Sequence, residues 1–232
     1  MKAISLACAA LAAAAAAMPA SAITFDFANL KWNGSVNSGF LPTDGVKCTG
    51  GDLCSSNVDG KVLNDDLTFV SGGLTAKATG WYTGKQVAAM QDHENGYNPT
   101  SLIGAGLGVY HLSGNTSDDN ITSGETVIVS FDHVVKLTSI SLRSEGHNVT
   151  HWGANTTFLL NGSSTLLPLN VGAISTNLVG TSFSFAFGGT KADQFYLSGM
   201  TAAAVPEPET YALMLAGLAA VGFVARRRKA LA

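Results

Sequence analysis

The chain has 232 residues, of which 46% are hydrophobic and 12% are charged, and its formal net charge at pH 7 is -3. This length suits one domain with a sizeable core, and the scarcity of charge leaves Ser, Thr, Asn and Gly to cover much of the surface. The acidic balance of residues 23–204 argues against nucleic acid and anionic lipid as partners of this part of the chain.

The first 22 residues have the pattern of a secretory signal peptide. Lys2 supplies a positive charge, an alanine- and leucine-rich run follows over 3–18, and Pro19 ends any helix. Residues 20–22, Ala-Ser-Ala, then match the small-x-small rule for signal peptidase. We therefore expect cleavage between Ala22 and Ile23, after export by the general secretion route.

Residues 23–204 carry the signals of one all-β domain, because short alternating segments recur between polar turns and no long helical period is present. The predicted strands cover 23–27, 67–70, 74–79 with an extension towards 82, 86–90, 127–131, 135–142, 156–160, 164–167, 183–187 and 195–199. Asn161-Gly162 predicts a type I′ hairpin turn, and residues 31–61 predict a long loop. The pattern favours an antiparallel β-sandwich, of which the jelly roll is one form.

Two cysteines remain after removal of the signal peptide, Cys48 and Cys54. The glycines and the aspartate between them favour a tight turn, and in an oxidising compartment such a pair is expected to form a disulfide. A redox or metal pair is the alternative, but the spacing is not Cys-x-x-Cys and no histidine is near in the sequence.

Gly104, Gly106 and Gly108 alternate with other residues in a way that invites comparison with a dinucleotide-binding fingerprint. No helix pattern follows these glycines, so the required strand–turn–helix context is missing. Close packing of backbones in a strand or bulge is the better interpretation.

A cluster of oxygen-bearing side chains lies at Asp118, Asp119 and Asn120, with Glu125 shortly after. Ca²⁺ takes six to eight oxygen ligands, so this loop before a strand is a candidate calcium site, although the spacing is not that of an EF-hand. A solvated acidic turn is the simpler interpretation.

The histidines His147 and His151 are spaced so that they can share one face and bind a transition metal. The glycines and asparagine around them favour a surface loop instead. Residues 92–94, Asp-His-Glu, would complete a metal site only if the fold brought them to these histidines.

Nucleophilic catalysis has little support, because the chain has no Gly-x-Ser-x-Gly elbow and no recognisable Ser, His and acid frame. We therefore expect a non-enzymatic domain.

Aromatic side chains offer an alternative function, since rings on one exposed face would stack on sugars, although core packing is their commoner role. The aromatics in question are Trp32, Trp81, Tyr82, Tyr97, Tyr110 and Trp152.

The end of the chain combines three pieces in a row. The first, Val205-Pro206-Glu207-Pro208, is acidic and rigid, because each proline fixes φ and biases the preceding residue towards extended backbone. An apolar run over 211–225 and four cations over 226–229 follow. We expect the Pro-Glu-Pro segment to be non-helical and the apolar run to form a helix about 22 Å long, short of the roughly 30 Å hydrocarbon core. It would span only with local bilayer thinning, with the basic end on the cytoplasmic side.

Residues 205–232 resemble the PEP-CTERM sorting signal of Gram-negative bacteria, in the order, spacing and terminal position of these pieces. Pro206, Glu207 and Pro208 match its motif, and 226–229 its basic end. The resemblance implies processing by exosortase, a membrane-embedded cysteine protease or transpeptidase, after a transient stay in the inner membrane. The product is expected at the cell surface or in the extracellular matrix, associated with exopolysaccharide or biofilm.

Two other functions remain open for the exported domain. One is a carbohydrate-binding module for an extracellular polysaccharide, and the other is a secreted hydrolase.

Overall fold

The computed structural model describes residues 21–48, 50–55, 66–93, 104–111, 119–144, 147, 152–168, 173–206 and 208–230. The chain divides into two compact units, Ala22–Ala203 on one side and residues 1–21 with 204–232 on the other. The strands are β1 (Ile23–Phe25), β2 (Leu30–Trp32), β3 (Asn37–Gly39), β4 (Val46–Lys47), β5 (Leu53–Cys54), β6 (Leu67–Ser71), β7 (Leu74–Tyr82), β8 (Lys85–Asp92), β9 (Gly106–Tyr110), β10 (Glu125–Ser144), β11 (Thr157–Leu160), β12 (Ser163–Leu166), β13 (Ala173–Ala186) and β14 (Phe195–Ala204).

Within the described residues, twelve of these strands form a single sheet, and β2 pairs with β3 in a second, small one. The main path runs β1-β14-β9-β8-β7-β10-β13-β11-β12, with β5 on β8, β4 on β5 and β6 on β7. A further pairing of β14 with β10 closes the strands β14, β9, β8, β7 and β10 into a ring. The predicted all-β antiparallel class is confirmed, whereas the β-sandwich or jelly roll is not.

Strand β10 makes the closure possible because it is 20 residues long and changes partners along its length. Its first part pairs with β7, from Glu125 opposite Tyr82 to Phe131 opposite Ala76. Its register with β13 shifts between Ser130 and Val135, and the three residues over 132–134 are exposed there. The sequence predicted two strands at this point. The break in alternation is instead a shift of register within one continuous strand.

The alternating pattern correctly predicts which side chains form the core. Val127, Val129 and Phe131 are buried on one face of β10, and Phe183 and Phe185 are buried on β13 beside them. Phe27 and Phe69 meet with ring centroids 4.9 Å apart in an edge-on arrangement, which is a favourable geometry for aromatic pairs.

The predicted hairpin turn is confirmed. Asn161 and Gly162 have φ of 49° and 77° and connect β11 to β12, as a type I′ turn requires. The amide N–H of Ser184 donates to the Asn161 side-chain oxygen at 2.8 Å, so the turn is also tied to β13.

The predicted long loop over 31–61 is wrong in part, because its described residues include most of β2 and all of β3, β4 and β5. These strands are only two or three residues long, and too short to show a period-2 pattern in the sequence.

The predicted close backbone packing around Gly104 and Gly108 is confirmed. A Cβ at Gly104 would lie 2.5 Å from the carbonyl oxygen of Asp92, and one at Gly108 would overlap the carbonyl oxygen of Asp119.

The described part of the tail is one helix, α1 (Pro208–Ala230), which continues through the basic residues 226–229. Val205 and Pro206 are non-helical, as predicted, but Pro208 is the first helical residue. Proline is tolerated there because the first helical N–H has no partner within a helix.

The sequence predicted a short membrane-spanning helix in this tail. Of the helices that the structure describes, none is both long enough and apolar enough to cross a membrane.

Candidate functional site

One end of the strand ring gathers several ionisable side chains. Strand β5 pairs with β8 through Leu53 opposite Gln91, so Asp52, just before β5, lies beside Asp92 at the end of β8. Antiparallel pairing also brings the start of β9 to this end, because Asp92 is opposite Gly106. We call the side chains of Asp52, Asp92, His93, Asp119, His147 and Tyr196 the rim cluster.

Asp52 is positioned by the cysteine loop. Cys48 and Cys54 form a disulfide with their Cα atoms 5.4 Å apart, and the amide of Cys48 donates to the Asp52 carbonyl at 3.0 Å. The Asp52 carboxylate is buried, accepts the amide N–H of His93 at 3.2 Å and contacts the Nδ1 of the same residue. Pairing of the cysteines in secreted protein stays a prediction.

His147 reaches the same place from the turn after β10. Its amide donates to the carbonyl of Ser144 at 3.1 Å, and its own carbonyl accepts from Nη1 of Arg143 at 3.0 Å. Its φ is 66°, in the left-handed region that non-glycine residues rarely adopt. The Nε2 of His147 lies 2.8 Å from Oδ2 of Asp92.

Asp119 and Tyr196 complete the cluster. The Tyr196 hydroxyl donates to Oδ1 of Asp119 at 2.7 Å, and its ring packs edge-on against the His147 ring with centroids 5.7 Å apart. Tyr196 is near the start of β14, which forms the other side of the closure with β10.

Burial dominates the electrostatics of the rim cluster. It raises the pKa of the Asp92 carboxyl well above its usual range, the carboxylates of Asp52 and Asp119 raise it further, and His93 opposes the shift. Burial also lowers the pKa of the His147 imidazole, with His93 and Arg143 acting in the same direction and Asp119 opposing them. His147 is thereby favoured in its neutral form, which is the form that ligates metals.

The Tyr196 hydroxyl is kept protonated. Burial raises its pKa far above the usual value, and the charges of Asp92 and Asp119 add to the shift. It therefore remains a hydrogen-bond donor to Asp119 at any ordinary pH.

Donor atoms of Asp52, Asp92 and His93 all lie within 4.8 Å of one another. With His147 beside Asp92, the rim cluster offers imidazole nitrogen and carboxylate oxygen together. Such mixed donors can hold a divalent cation or a shared proton. The sequence had suggested that His93 and His147 would form a site only if the fold brought them together, and the fold places both beside Asp92.

The cluster was otherwise hard to find from the sequence. Asp52 and Tyr196 were not predicted as site residues, since Asp52 belongs to the cysteine loop and Tyr196 to a core strand. Glu94 and His151, also considered as metal ligands, lie outside the described residues.

The predicted calcium ligands are held by different partners. Oε2 of Glu125 accepts the amide of Thr122 at 2.7 Å, and Oε1 lies 2.9 Å from Nδ1 of His111. Asp119 belongs to the rim cluster, Asn120 is buried, and Asp118 lies outside the described residues. Calcium binding at these residues stays a prediction.

Of the described aromatic side chains that were candidates for sugar stacking, two are buried and three are half-buried. Tyr110 and Trp152 are buried, and Tyr97 lies outside the described residues. Trp32 is covered by Nζ of Lys47 at 4.2 Å from the ring centroid, and Tyr82 stacks on His111 at 3.8 Å. Trp81 and Tyr82 are successive residues of β7 and so point to opposite faces.

The sorting segment leaves the domain at the end of β14. Val205 is half-buried, Pro206 is exposed, and neither has regular secondary structure; Glu207 lies outside the described residues. From Leu215 to Arg228 the side chains of α1 are exposed, and they include Leu215 and Phe223.

Residues 204–229 match the family model of the PEP-CTERM protein-sorting motif. No curated protein and no solved structure matches the chain. The chain therefore carries a PEP-CTERM sorting motif at the place predicted from its sequence, and this motif is that of an exported protein processed by exosortase.

Proposed function

We propose that this protein is a non-enzymatic component of the cell surface or extracellular matrix, which exosortase releases from its tail and which associates with exopolysaccharide or biofilm. The observation that carries the proposal is the match of residues 204–229 to the PEP-CTERM protein-sorting motif. This motif supports export of the β domain and its processing by exosortase, and we propose the association with polysaccharide from that destination.

The local geometry of the tail suits processing. Strand β14 ends at Ala204, and the next two residues are non-helical before α1 begins at Pro208. A protease binds extended, exposed backbone more readily than a strand or a helix, because its cleft has to reach the peptide bond. The non-helical segment around Pro206 is therefore the proposed recognition site.

The helix α1 after this segment would hold the precursor at the inner membrane. Leu215, Val221 and Phe223 are exposed on α1, and such apolar surface is stabilised by contact with lipid or with a membrane enzyme. Arg226, Arg227 and Arg228 are also exposed and would interact with anionic headgroups on the cytoplasmic side. We propose that this combination holds the precursor at the inner membrane until exosortase cuts.

The experiment is fractionation of the native host with and without its exosortase, followed by C-terminal sequencing. Surface protein that lacks α1 in the wild-type host, together with full-length precursor in membranes of the exosortase-deficient host, is the expected result. Surface protein that still ends at Ala232 in the wild-type host would reject the proposal. An activity screen of the purified protein with and without metals tests the non-enzymatic part, and turnover that survives purification would reject it.

A further inference from the structure

We propose that the rim cluster binds one divalent transition-metal ion of the Zn²⁺ type through Asp52, Asp92, His93 and His147. This inference concerns the β domain and does not depend on the sorting of the tail.

Convergence of separate segments is the first argument. Asp52 comes from the disulfide loop, Asp92 and His93 from the end of β8, and His147 from the turn after β10. Donor atoms of the first three lie within 4.8 Å of one another, and Nε2 of His147 lies 2.8 Å from Oδ2 of Asp92. Ligands of Zn²⁺ lie roughly 2.0–2.2 Å from the ion, so binding would draw these side chains closer together.

The second argument is the state of the Asp92 carboxylate. Asp92 is 4% exposed, and among the residues that the structure describes its Oδ2 has no hydrogen-bond partner. The imidazole of His147 is next to that oxygen, but the two do not form a hydrogen bond. A buried carboxylate oxygen without a donor is costly, and a cation between the oxygen and the imidazole nitrogen would remove this cost.

Charge gives the third argument. Asp52 and Asp92 are both buried, and in the described part of the chain their ion-pair partners are histidines rather than lysine or arginine. Two buried carboxylates side by side repel each other unless a proton or a cation lies between them. A divalent ion would neutralise both.

Donor type selects the class of metal. Two imidazole nitrogens and two carboxylate oxygens suit Zn²⁺ and related transition ions, whereas Ca²⁺ and Mg²⁺ prefer oxygen alone. A proposed ligand is also held by a hydrogen bond from the protein, since the amide N–H of His93 donates to the Asp52 carboxylate. Contacts of this kind orient metal ligands. The ion would join the cysteine loop, β8 and the turn after β10, and so stabilise this end of the ring.

The test uses the full chain, purified in mild detergent and stripped with a chelator. Titration with Zn²⁺ should give one ion per chain and raise the thermal unfolding midpoint, because a ligand that binds only the folded state stabilises it. Ca²⁺ at the same concentration should not displace Zn²⁺ from the rim cluster, because Ca²⁺ prefers oxygen ligands alone. In place of Zn²⁺, Co²⁺ should give the visible absorption of a four-coordinate site.

Matched variants locate the site. Asp92→Asn and His147→Gln should weaken Zn²⁺ binding by about a hundredfold or more, since even outer contacts to ligands are worth roughly 10–100-fold. The controls Asp132→Asn and His133→Gln alter an exposed Asp–His pair on β10, with 3.0 Å between Nδ1 of His133 and Oδ1 of Asp132, and should leave binding unchanged. Asp92→Asn also removes a buried charge, so its metal-free form should fold at least as well as the parent chain.

Two results would overturn the proposal. One is a parent chain that binds less than one Zn²⁺ and gives no four-coordinate Co²⁺ spectrum. The other is Zn²⁺ binding that the control substitutions abolish and the rim substitutions leave intact, which would place the ion at the exposed pair. Because the Co²⁺ measurement is made on the unaltered chain, a variant that fails to fold does not remove the test.

Discussion

His93 and Asp52 are 41 residues apart, yet Nδ1 of His93 contacts Oδ1 of Asp52 inside the protein. The contact exists because β5 pairs with β8, and because the Cys48–Cys54 disulfide closes the loop that carries Asp52. A covalent link thus holds one half of the rim cluster, and hydrogen-bonded strands hold the other.

The disulfide should therefore matter to the site as well as to stability. Cys48→Ser with Cys54→Ser is expected to lower the free energy of unfolding by about 2 kcal/mol, from the entropy of a short closed loop. It should also weaken Zn²⁺ binding, since Asp52 loses its restraint. Chemical denaturation and titration measure the two effects. In the parent chain, non-reducing mass spectrometry should show the linked peptides lighter by two hydrogens, and free thiols at both positions would contradict the pairing.

The aromatic core gives a prediction of stability alone. Phe69 is fully buried between Phe27 and Phe40, with ring centroids at 4.9 and 5.4 Å. Phe69→Ala should cost about 3–5 kcal/mol in the free energy of unfolding, from lost burial and the cavity that remains. The control is Val70→Ala on the same strand, where Val70 is exposed and the change should stay within about 0.5 kcal/mol. Equal losses in the two variants would show that β6 does not pack as described.

Gly108 is expected to be indispensable because of the backbone beside it. The Cβ of Gly108→Ala would overlap the carbonyl oxygen of Asp119, and neither backbone can yield as a flexible side chain would. We expect a loss of roughly 1–3 kcal/mol in the free energy of unfolding. Gly180→Ala is the control, because the atoms nearest to its Cβ are 3.8 Å away and its stability should stay level or rise by up to about 1 kcal/mol.

The sequence predicted most of β7 and β8, the hairpin at Asn161-Gly162 and the buried faces of β10 and of the end of β13, because a period-2 pattern and turn residues are local signals. It did not predict that β10 is one strand or that β13 begins at Ala173. It did not predict the closure between β10 and β14. The register of β10 against β13 shifts between Ser130 and Val135, and the exposed residues there interrupt the alternating pattern of the sequence. Local signals cannot distinguish a bend in one strand from a break between two.

Local sequence signals are also insufficient to predict the rim cluster. The sequence makes Asp92, His93 and His147 possible ligands, but each has a simpler interpretation as part of a polar loop. Only the register of β5 against β8 shows that Asp52 joins them. The sorting motif, by contrast, is contiguous, and for that reason it was found in full from the sequence.

Calcium binding at Asp118, Asp119, Asn120 and Glu125 has its own test. A calcium-selective chelator should lower the thermal unfolding midpoint if these oxygens hold the ion, and added Ca²⁺ should restore it. Glu125→Gln should then abolish the response to Ca²⁺ while Zn²⁺ binding at the rim cluster is retained. A midpoint that neither the chelator nor Ca²⁺ moves would reject a calcium site.

The last prediction concerns release from the tail. Pro206 and Pro208 restrict the backbone where β14 ends and α1 begins, and replacing both by alanine removes the restriction on the residues before them. Pro206→Ala with Pro208→Ala should therefore let the helix extend towards Ala204 and hide the peptide bonds that exosortase has to reach. Full-length precursor should accumulate in the inner-membrane fraction, and surface protein should fall to the level of the exosortase-deficient host. The matched control is Pro168→Ala, which changes a proline within the β domain and should leave release unchanged. Wild-type amounts of tail-free protein at the surface in the double variant would show that these prolines do not position the cleavage site, and would leave the apolar helix and its basic end as the signal that exosortase recognises.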